Sequence, residues 1–147
     1  MERFRPWRRA GWITALLLVA GGCGFDPEGD QPLDPPPVFR EWFAKTEACS
    51  GRIGNFDRIR WSIVEGASFA CSSGQCAGHW TTNHHIFLAS KWADNEMVVR
   101  HEMLHDLLNR PGHPDPPFGI GCPLTWETWH GGASQLDVVS LDPRKVD

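Results

Sequence analysis

His101, Glu102 and His105 are spaced so that one divalent cation and one proton acceptor can share a single turn of helix. Positions i and i+4 of an α-helix stand one above the other, so the two imidazoles can reach one Zn²⁺. Glu102 falls about 100° round the helix from His101 and about 60° from His105. Its carboxylate is then beside the metal, where it can take a proton from a water the metal has acidified. A catalytic zinc usually takes three protein ligands and keeps one open position. Four downstream side chains can supply the third ligand: His113, Asp115, Glu127 and His130. His113 is favoured because Pro111-Gly112 can turn the chain back toward the helix. Glu127 and Asp115 follow as alternatives.

These residues need a helix and a sheet to hold them. Asp94 is placed to cap the motif helix, with Glu96 in its first turn, where the macrodipole favours an acid. The helix is expected to run to Leu108 or Asn109 and stop at Pro111-Gly112. Met97, Leu104 and Leu108 form an apolar stripe, with His101 and His105 at its edge and so facing inward. Upstream, Phe39, Trp42 and Phe43 predict an amphipathic helix over Val38–Glu47. Residues 55–64 alternate Phe56, Arg58 and Arg60 against Ile59, Trp61 and Ile63, which predicts a strand with one buried face. Residues 67–70 are expected to extend that sheet. A second strand is clearest at His85–Ala89, and its edge is expected to pair with an extended peptide. The fold class is therefore α+β, a short twisted sheet packed on the motif helix and an N-terminal helix. Most of the eight tryptophans are read as core. His79, His84 and His85 are read as strand or turn surface residues, one of which could steady an oxyanion.

The N-terminus reads as an export signal. Residues 1–22 carry Arg3, Arg5, Arg8 and Arg9, then an apolar run from Gly11 to Ala20 and small residues before Cys23. That run is short for a membrane span. Residues 23–37 are rich in Pro, Asp and Gly and are expected to form a tether, with the folded domain over 38–147. The chain has a formal net charge of −4, and loss of residues 1–22 makes the body more acidic. Such a body does not attract nucleic acid, and membrane attachment would have to come from a lipid. Past Cys23 there are four cysteines, Cys49, Cys71, Cys76 and Cys122. An even number in an exported chain predicts disulfides. Cys71–Cys76 with Cys49–Cys122 and Cys49–Cys71 with Cys76–Cys122 both remain open.

Two resemblances add to this reading. Ala20-Gly21-Gly22-Cys23 resembles the lipobox of bacterial lipoproteins, which implies cleavage before Cys23 and lipidation of its thiol. It places the chain in a bacterial cell envelope, facing the extracytoplasmic space, with the outer membrane compatible because Gly24 is no inner-membrane retention signal. Residues 98–118 resemble the zincin superfamily of metallopeptidases. The metzincin branch would need Gly and His where Leu108 and Pro111 stand, and a later methionine that is absent. The gluzincin branch implies Glu127 as third ligand, and the aspzincin branch implies Asp115 as a loose equivalent. The HEMLHDLLNRPGHP segment is also similar to small bacterial lipoproteins with peptidase-type motifs, which implies His113. Together these imply a membrane-anchored zinc peptidase acting on a peptide or protein substrate, with Glu102 as base. The alternative is a zinc- and disulfide-stabilised lipoprotein that binds a protein partner. The chain has no tyrosine, a residue several zincins use to steady the tetrahedral intermediate, so a histidine, an arginine or a backbone N–H must serve here.

Overall fold

Phe39, Trp42, Phe43 and Thr46 recur at helical spacing and form the buried face of helix α1, Val38–Ser50. The helix ends at Gly51, whose φ of 66° is the left-handed conformation that glycine adopts without steric cost. It runs three residues beyond the expected Glu47, which brings Cys49 onto its last turn. Burial of each large apolar side chain on this face stabilises the fold by about 1.5–3 kcal/mol. The computed structural model describes residues 25–131. The signal stretch 1–22 and the lipidation candidate Cys23 lie outside the described residues. No helix among the described residues is long and apolar enough to cross a membrane.

Among the described residues the fold is a small mixed α+β arrangement of two helices and a short sheet. The strands are β1 (Gln31–Pro32), β2 (Arg60–Val64), β3 (Phe69–Cys71), β4 (Gly74–Cys76), β5 (Gly78–Thr81) and β6 (His85–Ala89). Four of them form one sheet in the order β1-β2-β6-β5. β2 and β6 pair in parallel, from Arg60 with His85 to Val64 with Ala89. β5 pairs antiparallel with β6, from Gly78 with Leu88 to Thr81 with His85. β6 is therefore an inner strand and β5 is the edge, contrary to the expected peptide-pairing edge at His85–Ala89. A parallel partner on one side and a hairpin partner on the other use up both sets of β6 backbone groups.

Three further expectations are corrected. Residues 56–58 form a 3₁₀ turn capped by Asn55, so the strand starts only at Arg60. Ser62 and Val64 are buried as well as Trp61, because the inner strands are covered on both faces and simple alternation is lost. β3 pairs only with β4, as a separate ribbon, and does not extend the main sheet. Within the stretch expected as a tether, Phe25 and residues 31–33 make contacts with the domain. Gln31–Pro32 pairs with β2, Leu33 N–H donates to the Trp61 carbonyl, and the Phe25 ring packs on Phe87 and His79. Phe25 and Leu33 carry apolar surface that burial stabilises, and β2 offers an otherwise unpaired edge.

One face of the sheet presents Trp61, Trp80, Ile86 and Leu88 to the helices. The opposite face presents Val64, Phe87 and Ala89 to Phe69 and Phe25. Helix α2, Glu96–Leu108, crosses the helical face. Its N-cap is Asn95, not Asp94: the Asn95 side chain accepts from Val98 N–H at 3.1 Å. Glu96 lies in the first turn as expected, and Asn109 closes the helix at φ 48°. Burial extends well past the expected stripe to Val98, Val99, Arg100, Glu102, Met103 and Asp106, because α1, the sheet and the C-terminal loop pack round it.

Two disulfides brace the body. Cys49 on α1 is bonded to Cys122 across a separation of 73 residues, and Cys71 is bonded to Cys76 between the two strands of the β3–β4 ribbon. Among the tryptophans, Trp42, Trp61 and Trp80 are core residues, but Trp126 is 63% exposed.

Candidate metal centre

The helix spacing brings His101 and His105 together, and the Pro111-Gly112 turn adds His113. Gly112 has φ 78°, a left-handed conformation that lets the chain reverse after α2. His101 Nε2 lies 3.3 Å from His105 Nε2 and 3.0 Å from His113 Nε2. These three residues form one group able to hold a metal ion. Ligand nitrogens about 2.0–2.1 Å from a tetrahedral zinc would be roughly 3.4 Å apart, so the observed spacing is close to that of a bound set.

The outer ring nitrogens fix the orientation. His101 Nδ1–H donates to the Leu124 carbonyl at 2.6 Å, and His105 Nδ1–H donates to the Arg110 carbonyl at 3.1 Å. With those protons on Nδ1, each Nε2 turns a bare lone pair toward the group. Facing lone pairs repel one another, and a cation between them would turn that repulsion into binding. Burial lowers His101 to about 4 and His105 to about 3, the latter also by the neighbouring His101. Both are therefore neutral ligands at pH 7. Phe118 supports the group from one side, its ring centroid 4.9–5.0 Å from all three imidazoles.

Leu124 is held in turn by the chain around Cys122. Cys122, Leu124 and Phe118 form a buried cluster with Leu104 of α2. The Cys49–Cys122 bond ties that cluster to α1. The disulfide thus connects, through two residues of chain, to the carbonyl that orients His101.

Glu102 points between α2 and the edge strand. It is 6% exposed, and burial raises its carboxyl to about 8, partly opposed by a hydrogen bond from Trp80 N–H. A Cβ at Gly78 would lie 2.8 Å from the Glu102 carboxyl, so β5 needs glycine there. Sequence reasoning missed Gly78, Trp80 and Phe118. Nothing local marks them, since each matters only through a neighbour remote in sequence.

Asp106, next to His105, is fully buried and anchors the far side of the motif. Its carboxylate accepts from Trp80 Nε1 at 2.9 Å and lies 2.7 Å from His84 Nδ1 and 3.4 Å from Arg58. A buried carboxylate requires such partners. Trp80 in turn lies near-parallel to the His105 ring, 6.2 Å away.

The other candidates fall elsewhere. The Asp115 carboxylate accepts from Ile120 N–H at 2.9 Å and shapes the loop beyond His113. Glu127 is outside the three-histidine group but lines an adjacent cavity. His130 is exposed. Of the three sheet histidines, His84 holds Asp106 and His85 lies 2.9 Å from the Ser62 hydroxyl. Only His79 lines a cavity with the group. Two cavities, of about 310 and 350 Å³, flank the histidines and share Cys76, Gly78, His101, Glu102 and His113. No family model, curated protein or solved structure matches this chain.

Proposed function

We propose that this protein is a zinc-dependent peptidase of zincin type, carried on the bacterial cell envelope by a lipid at Cys23 and facing the extracytoplasmic space. The observation that carries the reading is the buried Glu102 carboxyl beside three imidazoles whose ring nitrogens converge. His101, His105 and His113 would hold the ion, and neutral nitrogen donors suit zinc. Bound there, zinc would polarise a peptide carbonyl and acidify a water.

The remaining steps belong to the chain. Glu102, raised by burial, becomes a carboxylate when a dication stands beside it and is then a strong proton acceptor. It takes the proton of the attacking water and passes it to the leaving amine. Gly78 leaves room for that carboxyl, and Trp80 N–H holds it. His79 is the side chain available to replace the missing tyrosine, as a donor to the developing oxyanion. The two flanking cavities give a peptide space on both sides of the group.

Glu102→Gln is the direct test. It should keep one zinc per chain and the native fold while cleavage of peptides falls by about 10²–10⁴-fold. Undiminished cleavage would sink the mechanism. The second reading, a zinc- and disulfide-stabilised binding lipoprotein, draws on the small size of the body, two helices and a short sheet. Absence of zinc-dependent cleavage across a broad peptide library would favour it. For the anchor, Cys23→Ser should move the protein from the membrane fraction to the soluble one; retention on membranes would refute the lipid.

A further inference from the structure

The cavity on the Glu127 side of the histidine group has an uneven lining. Ala77 and the buried side chains of Met97 and Val98 make an apolar floor. Thr125, Trp126 and Glu127 make the outer wall. No lysine or arginine lines this cavity or its neighbour. Of the two carboxyls in the lining, Glu102 is buried against Gly78 and assigned to the proton. Glu127 has no role in the mechanism above. Its carboxylate is held by its own backbone N–H and by the Thr125 side chain, which keep it below the usual carboxylate range. It is exposed and stays a carboxylate at neutral pH.

Trp126 gives a second, independent pointer. The residue is 63% exposed, yet its ring is braced in a T-shaped contact with Trp92 at 5.5 Å. An exposed, braced indole face attracts cations, and a methylene chain packs on apolar floor while its charged head reaches outward.

We propose that this cavity selects a substrate residue with an apolar stem and a cationic head. A lysine or arginine side chain next to the scissile bond would lie on Met97 and Val98 and present its charge to Glu127 and Trp126. The inference rests on the peptidase reading for the word substrate, but the recognition itself is a binding property. An acidic residue would meet Glu127 with like charge, and no basic side chain in the lining would offset it.

The test uses the full chain loaded with one equivalent of zinc and a series of N-acetylated peptides differing at one position. That position is lysine, norleucine or glutamate, so the side chain carries the only ammonium. The lysine peptide should exceed the norleucine peptide about tenfold in kcat/KM, with glutamate lowest. In Glu127→Gln the lysine-to-norleucine ratio should fall close to one, and in Glu127→Lys glutamate should become the preferred residue. An unchanged ratio in Glu127→Gln overturns the proposal. Loss of zinc from that variant also overturns it, because Glu127 would then be a metal ligand. A norleucine peptide that gains as much from a free N-terminus as from lysine would assign the charge site to a terminal amine, against the side chain. If the wild type cleaves none of the series, the peptidase reading fails on its own. The same peptides are then titrated by tryptophan fluorescence, with Trp126→Phe as the reference. Tighter binding of the lysine peptide, lost in Glu127→Gln, keeps the cationic pocket, and equal binding of lysine and norleucine peptides removes it.

Discussion

Among the described residues, two groups of side chains could hold a metal ion, and they differ in what their donor atoms are free to do. His101, His105 and His113 form one; Cys71, Cys76 and His79 form the other. In each the potential ligand atoms all lie within 4.8 Å of one another. In the histidine group the Nδ1 atoms of His101 and His105 are tied to carbonyls, which leaves their Nε2 atoms to face His113. In the cysteine group the two sulfurs are bonded to each other. Metal binding needs a thiolate or a neutral imidazole, so a disulfide removes both sulfurs from coordination. Proximity is thus common to both groups, and free valence with fixed orientation belongs to one.

The strongest way to break this comparison is to cut the support beneath the histidine group. Replacing Cys49 and Cys122 by serine opens a separation of 73 residues. By loop entropy this should cost about 4 kcal/mol of unfolding free energy, measured in denaturant. Because Leu124 then loses its tether, zinc affinity should also fall by about 10–100-fold. Unaltered affinity in a folded double variant would show that the disulfide does not orient His101.

Next in size is the ion itself. Zinc at a hundredfold excess over its dissociation constant should stabilise the wild type by about 2.7 kcal/mol and His105→Ala hardly at all. A variant that still takes up one zinc would remove the histidine group from the comparison. The acid side adds a sign. His101 and His105 have folded pKa values of about 4 and 3, below the usual 6.5. The unfolded chain therefore binds protons first, and the metal-free protein should lose stability as pH falls from 6.5 toward 3. Glu102 works the other way. Its carboxyl, raised from 4.5 to about 8, contributes stability at low pH that is lost progressively as pH rises from 4.5 to about 8. Thermal melts of chelator-treated protein across pH 3–9 read both limbs, and a flat profile would contradict the burial of these groups.

The smallest effect is expected at the cysteine group. Cys71 and Cys76 are five residues apart. Serine at both should cost about 2 kcal/mol and leave one zinc per chain. Loss of the zinc in that variant would mean that the ribbon, and not the histidines alone, holds the ion.

Much of the local structure is legible in the sequence. The stripe of Phe39, Trp42 and Phe43 marked α1, and Glu96 marked the first turn of α2. His85–Ala89 emerged with its expected bounds. The misses were of position within the sheet. A short apolar run reads alike on an edge or an inner strand, and in this sheet β6 is inner while β5 lies at the edge. The Pro-rich stretch gave no sign of its contacts, since Phe25 and Leu33 are isolated among turn formers.

By itself the sequence determined that His101 and His105 share a helix face with Glu102 beside them, because a helix turns that spacing into geometry through bonds only four residues long. It also placed four of the five cysteines, an even number, beyond residue 23. Only the tertiary structure decided that His113, among four downstream candidates, joins the pair and that Cys49 bonds Cys122. It alone placed Gly78 against Glu102 and Phe118 under the imidazoles. Those choices depend on how a loop closes over a core, which is set by the burial of many remote side chains together and leaves no periodic mark in the chain.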